Sequence, residues 1–453
     1  MKAFSIFSTK LSSKMLHLIG HGGSMPGSIG LKLDPNILSK LHFSGPVILV
    51  TGTNGKTSTA NMVADLFMRA GYRVITNRKG DNLKAGITTT LLTHCSVSGQ
   101  VKADVVVLEV DELNIRHILP FIPVSALIVN NFFRDQLDRA REMEQLIESI
   151  EKVLPNYSGK LILNGNDPNV VRLATKAKQA KPYYFGMAEN TYSVKHTSEA
   201  SEGKFCPVCG AKLTYDYYQY SHIGSFHCTK CAFQTPELSI CLKDIDLDKE
   251  NFSCEGTVYH SPYEGMYSMY NCAAVLTVAK AFSISNEVVK EVFQHAPQPK
   301  GRNEKFEKDG HTCILNLVKN PTGANEVMKV IEKDHNEKKI CIVLNDREQD
   351  GTDVSWIYDT FFEKIMDEKT KEIYCTGLRA NDMALRIYYG GYKGKITVIN
   401  DLQEAVHHAN ENIDQSCTGT NRRQRRGTHK LTDDNGVSHI VYLLKKAAKN
   451  HWH

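Results

Sequence analysis

The sequence predicts an α/β protein, with a doubly wound, mainly parallel sheet in a nucleotide-binding domain and a second, smaller α/β domain after it. Three observations carry this. Short apolar runs alternate with helix-length stretches from residue 47 to about 190, the pattern of βαβ units. The first run, Val47-Ile48-Leu49-Val50, passes through Thr51-Gly52-Thr53-Asn54-Gly55-Lys56-Thr57 into a helical segment, which is how a chain builds a phosphate cradle. After Pro297 and Pro299, which stop helices, the strand–helix alternation resumes.

At 453 residues two or three domains are expected. The boundaries read as a helical lead-in over 1–43, a nucleotide-binding domain over 44–298 with an insertion at about 200–235, a smaller α/β domain over 299–415, and a basic tail over 416–453. Hydrophobic residues at 41% and charged residues at 23% are ordinary for a globular chain. A net charge of +5 is mild and by itself makes no case for nucleic-acid binding, since a basic footprint must be clustered to count. No apolar run is long enough to cross a bilayer, and the first twenty residues lack the continuous apolar core of a signal peptide. Of the twelve cysteines, Cys95, Cys272, Cys313, Cys341 and Cys375 stand singly in apolar segments, as reduced core thiols do, which points to the cytoplasm.

In chain order, residues 2–19 have apolar residues at helical spacing, Gly20 to Gly27 reads as a loop, and Asp34 to Leu41 as a helix. Strands are expected at 47–50, 73–76, 104–110, 125–129 and 160–163, with a helix from Ser58 to Arg69. Within the cradle, backbone N–H groups over Thr53-Asn54-Gly55-Lys56-Thr57-Ser58 would face phosphate oxygens, Lys56 would reach the β/γ-phosphates, and the Thr57 hydroxyl would bind Mg²⁺. Val105 to Val110 is almost wholly apolar, as a central parallel strand is, and ends in Glu109, Asp111 and Glu112. Carboxylates at that end lie beside the nucleotide crevice. A helix beginning near Tyr267 carries Asn271. In the second domain strands are expected at 312–317, 340–344, 372–375 and 396–399, and helices at about 323–333, 357–367, 379–388 and 401–409. The arginine run of the tail, Arg422-Arg423 and Arg425-Arg426, reads as a solvated segment, and the tail with its late apolar stretch Val437 to Leu444 does not look like a C-terminal strand and helix.

Cys206-Pro-Val-Cys209 and Cys228-Thr-Lys-Cys231 are two C-x-x-C knuckles separated by eighteen residues. That spacing is a strong zinc-ribbon signal, and four thiolates fill a tetrahedral Zn²⁺ shell, so the metal is expected to be structural. Tyr215 to Tyr220 reads as a strand of the ribbon hairpin, and the polar stretches 188–204 and 232–250 as the seams of the insertion.

Thr51-Gly-Thr-Asn-Gly-Lys-Thr57 resembles the nucleotide loop of the Mur ligases, which activate a carboxylate with ATP as an acyl-phosphate that an amine then attacks. The resemblance implies that Glu109 binds Mg²⁺, that Asn271 hydrogen-bonds adenine, and that Arg302, in Gly301-Arg302-Asn303-Glu304, reaches the nucleotide phosphates. Asn130 to Arg139 is similar to the family's Asn…Asp-His-Leu-Asp segment, with Gln136 in place of the histidine that helps hold a second Mg²⁺. The carbamylated lysine of amino-acid-adding members would fall near Glu151 and Lys152. The four-cysteine insertion, together with Asn345-Asp346 and Asp350-Gly351-Thr352-Asp353-Val354-Ser355-Trp356, narrows the resemblance to the MurT family. It implies an amidotransferase subunit that converts the D-isoglutamyl α-carboxylate of lipid II or a related precursor to the amide. Ammonia would come from a GatD-like glutaminase partner, whose triad Asp353, or failing it Asp350, would complete. Two readings compete: a stand-alone amino-acid-adding ligase of the same fold, and a zinc-ribbon nucleic-acid-binding ATPase. The ribbon's few lysines, Lys204, Lys212 and Lys230, argue against the latter.

Overall fold

The computed structural model describes residues 1–18, 23–77, 81–134, 143–197, 202–297, 304–308, 311–318, 320–347, 352–411 and 440–446. The described residues fall into two compact units, one within 1–297 and one within 304–446.

The strands of the first unit are β1 (Val47–Thr51), β2 (Val74–Thr76), β3 (Val105–Glu109), β4 (Val124–Val129), β5 (Lys160–Asn164), β6 (Lys181–Met187), β7 (Leu213–Tyr220), β8 (Ile223–Cys228), β9 (Ile240–Asp246), β10 (Asn251–Cys254) and β11 (Thr257–His260). Nine of them form one sheet in the order β11-β10-β9-β6-β5-β4-β1-β3-β2, and β7 with β8 makes a separate hairpin. Every pairing from β6–β9 across to β2–β3 is parallel, and only β9–β10 and β10–β11 are antiparallel. The mainly parallel sheet therefore stands as expected. One correction concerns the seam at 232–250: it supplies β9, which extends the sheet directly beside β6.

β1 is buried on both faces because its side chains alternate between two cores. Ile48 and Val50 pack with the helix Lys56–Arg69 and with Met266–Ala281, while Val47 and Leu49 pack with Ile87, Leu91 and Ile6. Each such side chain, fully withdrawn from water, contributes about 1.5–3 kcal/mol. The strand order reverses at β1, which has β4 on one side and β3 on the other. At such a switch point the loops leaving the strands' carboxyl ends open a crevice.

The lead-in is helical but divided differently from expectation. Helix α1 (Lys2–Leu18) is followed by α2 (Met25–Leu33), which begins inside the stretch read as a loop. Pro26 in the first turn of α2 explains it, since a proline there sacrifices only an N–H that has no intrahelical partner. Asp34 to Leu41 holds only a short 3₁₀ turn, Ile37–Lys40.

The second unit contains β12 (Glu304–Lys308), β13 (His311–Val318), β14 (Lys338–Val343), β15 (Thr370–Thr376), β16 (Lys395–Val398) and β17 (Ile440–Lys446), ordered β12-β13-β17-β14-β15-β16. Only β12–β13 is antiparallel. β17 corrects the reading of the tail: Ile440-Val441-Tyr442-Leu443-Leu444 is a central strand, parallel to both β13 and β14. An almost uninterrupted apolar run is the sequence pattern of a central parallel strand, and the arginines upstream drew the reading toward a solvated tail. The helix expected over 357–367 is instead two 3₁₀ turns, Ser355–Asp359 and Phe362–Ile365. Helices Pro321–Lys333, Ala380–Tyr389 and Leu402–Glu411 lie where the periodicity put them.

Candidate active site

The loop after β1 depends on two glycines. Gly52 has φ +127°, and a Cβ there would sit 3.0 Å from the backbone nitrogens of Asn130 and Asn131. Gly55 has φ +82°, and a Cβ there would sit 2.2 Å from Asn271 Oδ1. No side chain fits either place, so the backbone itself is the surface this loop presents. The segment after β4 holds the loop: Thr53 N donates to Asn131 O (2.9 Å), Asn54 N to Asn131 Oδ1 (2.8 Å) and Phe133 N to Thr53 Oγ1 (3.0 Å). Helix α3 (Lys56–Arg69) then starts at the lysine, one residue after the left-handed Gly55, with Thr57 and Ser58 in its first turn.

Lys56 is largely buried. Its ammonium donates to Gly52 O (2.5 Å), Thr53 O (3.2 Å) and Glu112 Oε1 (3.0 Å). Burial pulls its pKa down, and the attraction of Glu112, Glu109 and Asp111 more than offsets that, so the lysine stays charged. Glu112 answers to the opposite balance. Desolvation lifts its carboxyl, Lys56 offsets this in part, and the pKa stands at about 7. Glu109, at the carboxyl end of β3, is buried and held by Asn82 Nδ2 on Oε1 (2.7 Å), while Asn77 brackets its backbone. Glu112 was visible in the sequence only as one of three strand-end carboxylates, and nothing there marked it as the partner of Lys56.

Asn271 lies in the second turn of the helix Met266–Ala281, fully inside it rather than capping it. Its Oδ1 accepts from Thr59 Oγ1 (3.2 Å), and Asn130 Nδ2 donates to the same hydroxyl (2.9 Å). Asn271 Nδ2, Asn130 Oδ1 and Thr51 Oγ1 are buried without a hydrogen-bond partner. Three orphaned polar atoms around a glycine loop, beside a buried lysine, are the chemistry of a site built for a polar, anionic ligand. The residues thus fit a nucleotide phosphate group and its Mg²⁺.

The four cysteines converge. Their Sγ atoms all lie within 4.8 Å of one another, with Cys206–Cys231 at 3.6 Å and Cys209–Cys228 at 3.5 Å. A tetrahedron of about 2.3 Å Zn–S bonds has edges of about 3.8 Å, so the cluster fits that ion. The N–H groups of Lys230 and Cys231 point at Cys228 Sγ (3.3 and 3.4 Å), as in a metal knuckle.

The hairpin of this module runs from the cysteines to the nucleotide loop, which the sequence did not disclose. Its tip places His222, wholly buried, edge-on to Phe133 at 4.9 Å. His222 Nε2 is 3.3 Å from Asp167 Oδ1 and Nδ1 is 3.2 Å from Glu202 Oε2, both ion-pair distances. Burial works against the imidazolium, but the two carboxylates prevail and raise its pKa to about 10. Asp167 Oδ2 in turn accepts from Phe132 N (2.9 Å). Cysteine cluster, hairpin, His222, Phe133 and Thr53 are therefore in continuous contact.

Arg302, Gln136, Asp350 and Gly351 lie outside the described residues. Lys152 is exposed, and Glu151 is ion-paired with Arg172 Nε (2.9 Å), so neither is poised as a metal ligand. In the second unit Asp353 Oδ1 accepts from Ser355 N (2.9 Å), starting the 3₁₀ turn of Trp356. Cys272, Cys341 and Cys375 are buried thiols pushed up to about 12, and Cys95 is raised as well, so none of them is an activated nucleophile. Among the described residues, no helix is long and apolar enough to cross a membrane.

Residues 50–229 match the Mur ligase middle domain, and residues 317–419 the MurT ligase C-terminal family. A pseudomurein peptide ligase type C from Methanothermus fervidus shares the fold, with TM-score 0.62 and 19% identity over 92% of this chain and 79% of that one. The chain thus carries a Mur ligase middle domain in a Mur ligase-like fold. The chain is 32% identical, over 89% of its own length and 91% of the other's, to the lipid II isoglutaminyl synthase (glutamine-hydrolyzing) subunit MurT of Staphylococcus aureus (strain COL). With the subunit of the same name from Streptococcus pneumoniae it shares 31% over 86% and 88%. The chain belongs to the MurT family.

Proposed function

We propose that this chain is the ATP-dependent ligase subunit of a lipid II isoglutaminyl synthase. It would amidate the α-carboxylate of the D-isoglutamyl residue in the peptidoglycan stem peptide, with ammonia delivered by a GatD-like glutaminase subunit. The observation that carries this reading is the span of the likeness to the Staphylococcus aureus subunit, nine-tenths of both chains.

A carboxylate is too poor an electrophile for ammonia. Phosphorylation by ATP turns its oxygen into a leaving group, ammonia attacks the acyl-phosphate carbon, and phosphate departs. The loop Thr53-Asn54-Gly55-Lys56-Thr57-Ser58 would hold the phosphates, with Asn271 as the family's adenine ligand and Arg302 as its phosphate ligand. Lys56, kept charged by its carboxylates, neutralises charge on the group in transfer. Thr57 and Glu109 are the residues to hold Mg²⁺, which when bound adds further neutralisation. Cys206, Cys209, Cys228 and Cys231 would bind a structural Zn²⁺ in a ribbon. Asp353 would orient the glutaminase histidine across the subunit contact. The reading takes the nucleotide-binding domain as 44–298 and a Rossmann-like domain from 299 onward, with β17 now included in its sheet, and places the enzyme in the cytoplasm at the inner face of the membrane.

The test is the state of the stem peptide. Depleting the protein should convert the precursor's amide to the free acid, read by mass spectrometry. Precursors that stay fully amidated after depletion would refute the proposal.

A further inference from the structure

Helix α1 is amphipathic in the opposite sense to a helix that packs on a domain and faces water. Its inner side carries Ser5, Thr9 and Ser13, all buried, with Ile6. The Ser5 hydroxyl donates to Gly30 O (2.8 Å), and a side chain at Gly30 would meet Thr9 Oγ1 at 2.5 Å, so small residues seat α1 tightly on α2. Its outer side carries Phe4, Phe7, Leu11, Met15 and Leu18, exposed by 62%, 59%, 48%, 61% and 87%. At 100° per residue these five fall within roughly 80° of the helix circumference. A single exposed leucine is ordinary, whereas an unbroken stripe of large apolar side chains along a helix is an interaction surface.

The charge around the stripe selects what covers it. Residues 1–33 contain no aspartate or glutamate and four lysines, Lys2, Lys10, Lys14 and Lys32. Lys14 and Lys32 are exposed, and Lys14 flanks the stripe. Lys2 and Lys10 run along the seated side and donate to the carbonyls of Lys40 and Cys95. An apolar stripe flanked by Lys14, in a stretch without acidic residues and on a helix that is not long and apolar enough to span, matches an anionic lipid surface.

We infer that α1 lies in the plane of an anionic phospholipid bilayer, its stripe in the acyl boundary and Lys14 among the headgroups. The inference rests on the functional reading above, in which the substrate is lipid-linked, and it gives the ligase a means of staying where that substrate is.

The experiment uses the full chain with its glutaminase partner and two sets of vesicles, pure phosphatidylcholine and phosphatidylcholine with phosphatidylglycerol. Sedimentation should show binding that is stronger on the anionic vesicles and falls with added salt. The triple variant Phe4→Ser, Phe7→Ser, Leu11→Ser removes outward-facing groups only, so its thermal unfolding should match wild type while vesicle binding drops at least tenfold. Lys14→Gln should weaken binding about fivefold, on anionic vesicles alone. The triple variant should amidate a vesicle-embedded lipid-linked precursor at least tenfold more slowly and a water-soluble precursor fragment at the wild-type rate. Failure of wild type to bind vesicles, or equal binding by the triple variant, would overturn the inference. So would a concentration-dependent dimer, or a complex with the glutaminase, that the triple variant abolishes. Vesicle binding through α1 without amidation of either precursor would uphold the inference and reject the functional reading.

Discussion

Replacing His222 with glutamine withdraws the positive charge shared by Asp167 and Glu202 at the hairpin tip. In the native protein that imidazole is fully buried, Asp167 is fully buried, and the Glu202 side chain is only 17% exposed. Removing one partner from a buried ionic cluster leaves the remaining charge uncompensated and costs about 3–5 kcal/mol. For a unit of this size that is a fall in Tm of roughly 10 °C. The pH dependence is the sharper signature. The folded pKa of His222 is raised from 6.5 to about 10, so the protonated ring contributes stability fully below pH 6.5, and the contribution is lost as pH climbs toward 10. Thermal unfolding followed by circular dichroism at pH 6–10 should show this decline in wild type and its absence in His222→Gln. The double variant His222→Gln, Glu202→Gln should recover part of the loss, because it also removes one of the two stranded carboxylates. If His222→Gln melts at the wild-type temperature at pH 7, with a parallel pH profile, the ring is neutral and the argument fails.

Four further outcomes follow from the site. Lys56→Ala should abolish ATP turnover with the fold retained, and a folded variant that amidates at the wild-type rate would remove the lysine from phosphate chemistry. Gly55→Ala forces a Cβ into a left-handed position 2.2 Å from Asn271 Oδ1, so titration calorimetry should show nucleotide affinity falling at least tenfold, from strain of about 1–2 kcal/mol and the displaced loop. Metal analysis should find one zinc per chain, lost with solubility in Cys206→Ser; metal-free protein of normal thermal stability would contradict it. Asp353→Asn should suppress glutamine-dependent amidation, with the product restored by high free ammonia, and unchanged glutamine hydrolysis would reduce Asp353 to the turn former that its bond to Ser355 N already makes it.

What the sequence determined is whatever is written in contiguous residues. The strand–loop–helix at Val47 to Arg69 is local: four apolar residues, two glycines where φ is positive, then helix formers. The paired C-x-x-C knuckles are likewise readable, because ligand spacing within a knuckle is set by the turn itself. The helix in residues 2–18 was legible too, although its periodicity could not tell which face points inward. Tertiary structure decided that, by seating Ser5 and Thr9 against Gly30 and leaving the phenylalanines outside. It also decided that Glu112, rather than its neighbours Glu109 and Asp111, takes the Lys56 ammonium, since that choice depends on how the chain turns after β3. Ile440 to Lys446 became a central strand only because β13 and β14 leave a place between them, which no window around the tail could reveal. His222 is the plainest case. Its partners stand 20 and 55 positions away in the chain, and a histidine in a hairpin turn becomes a buried cation only when folding brings two carboxylates to it and excludes water.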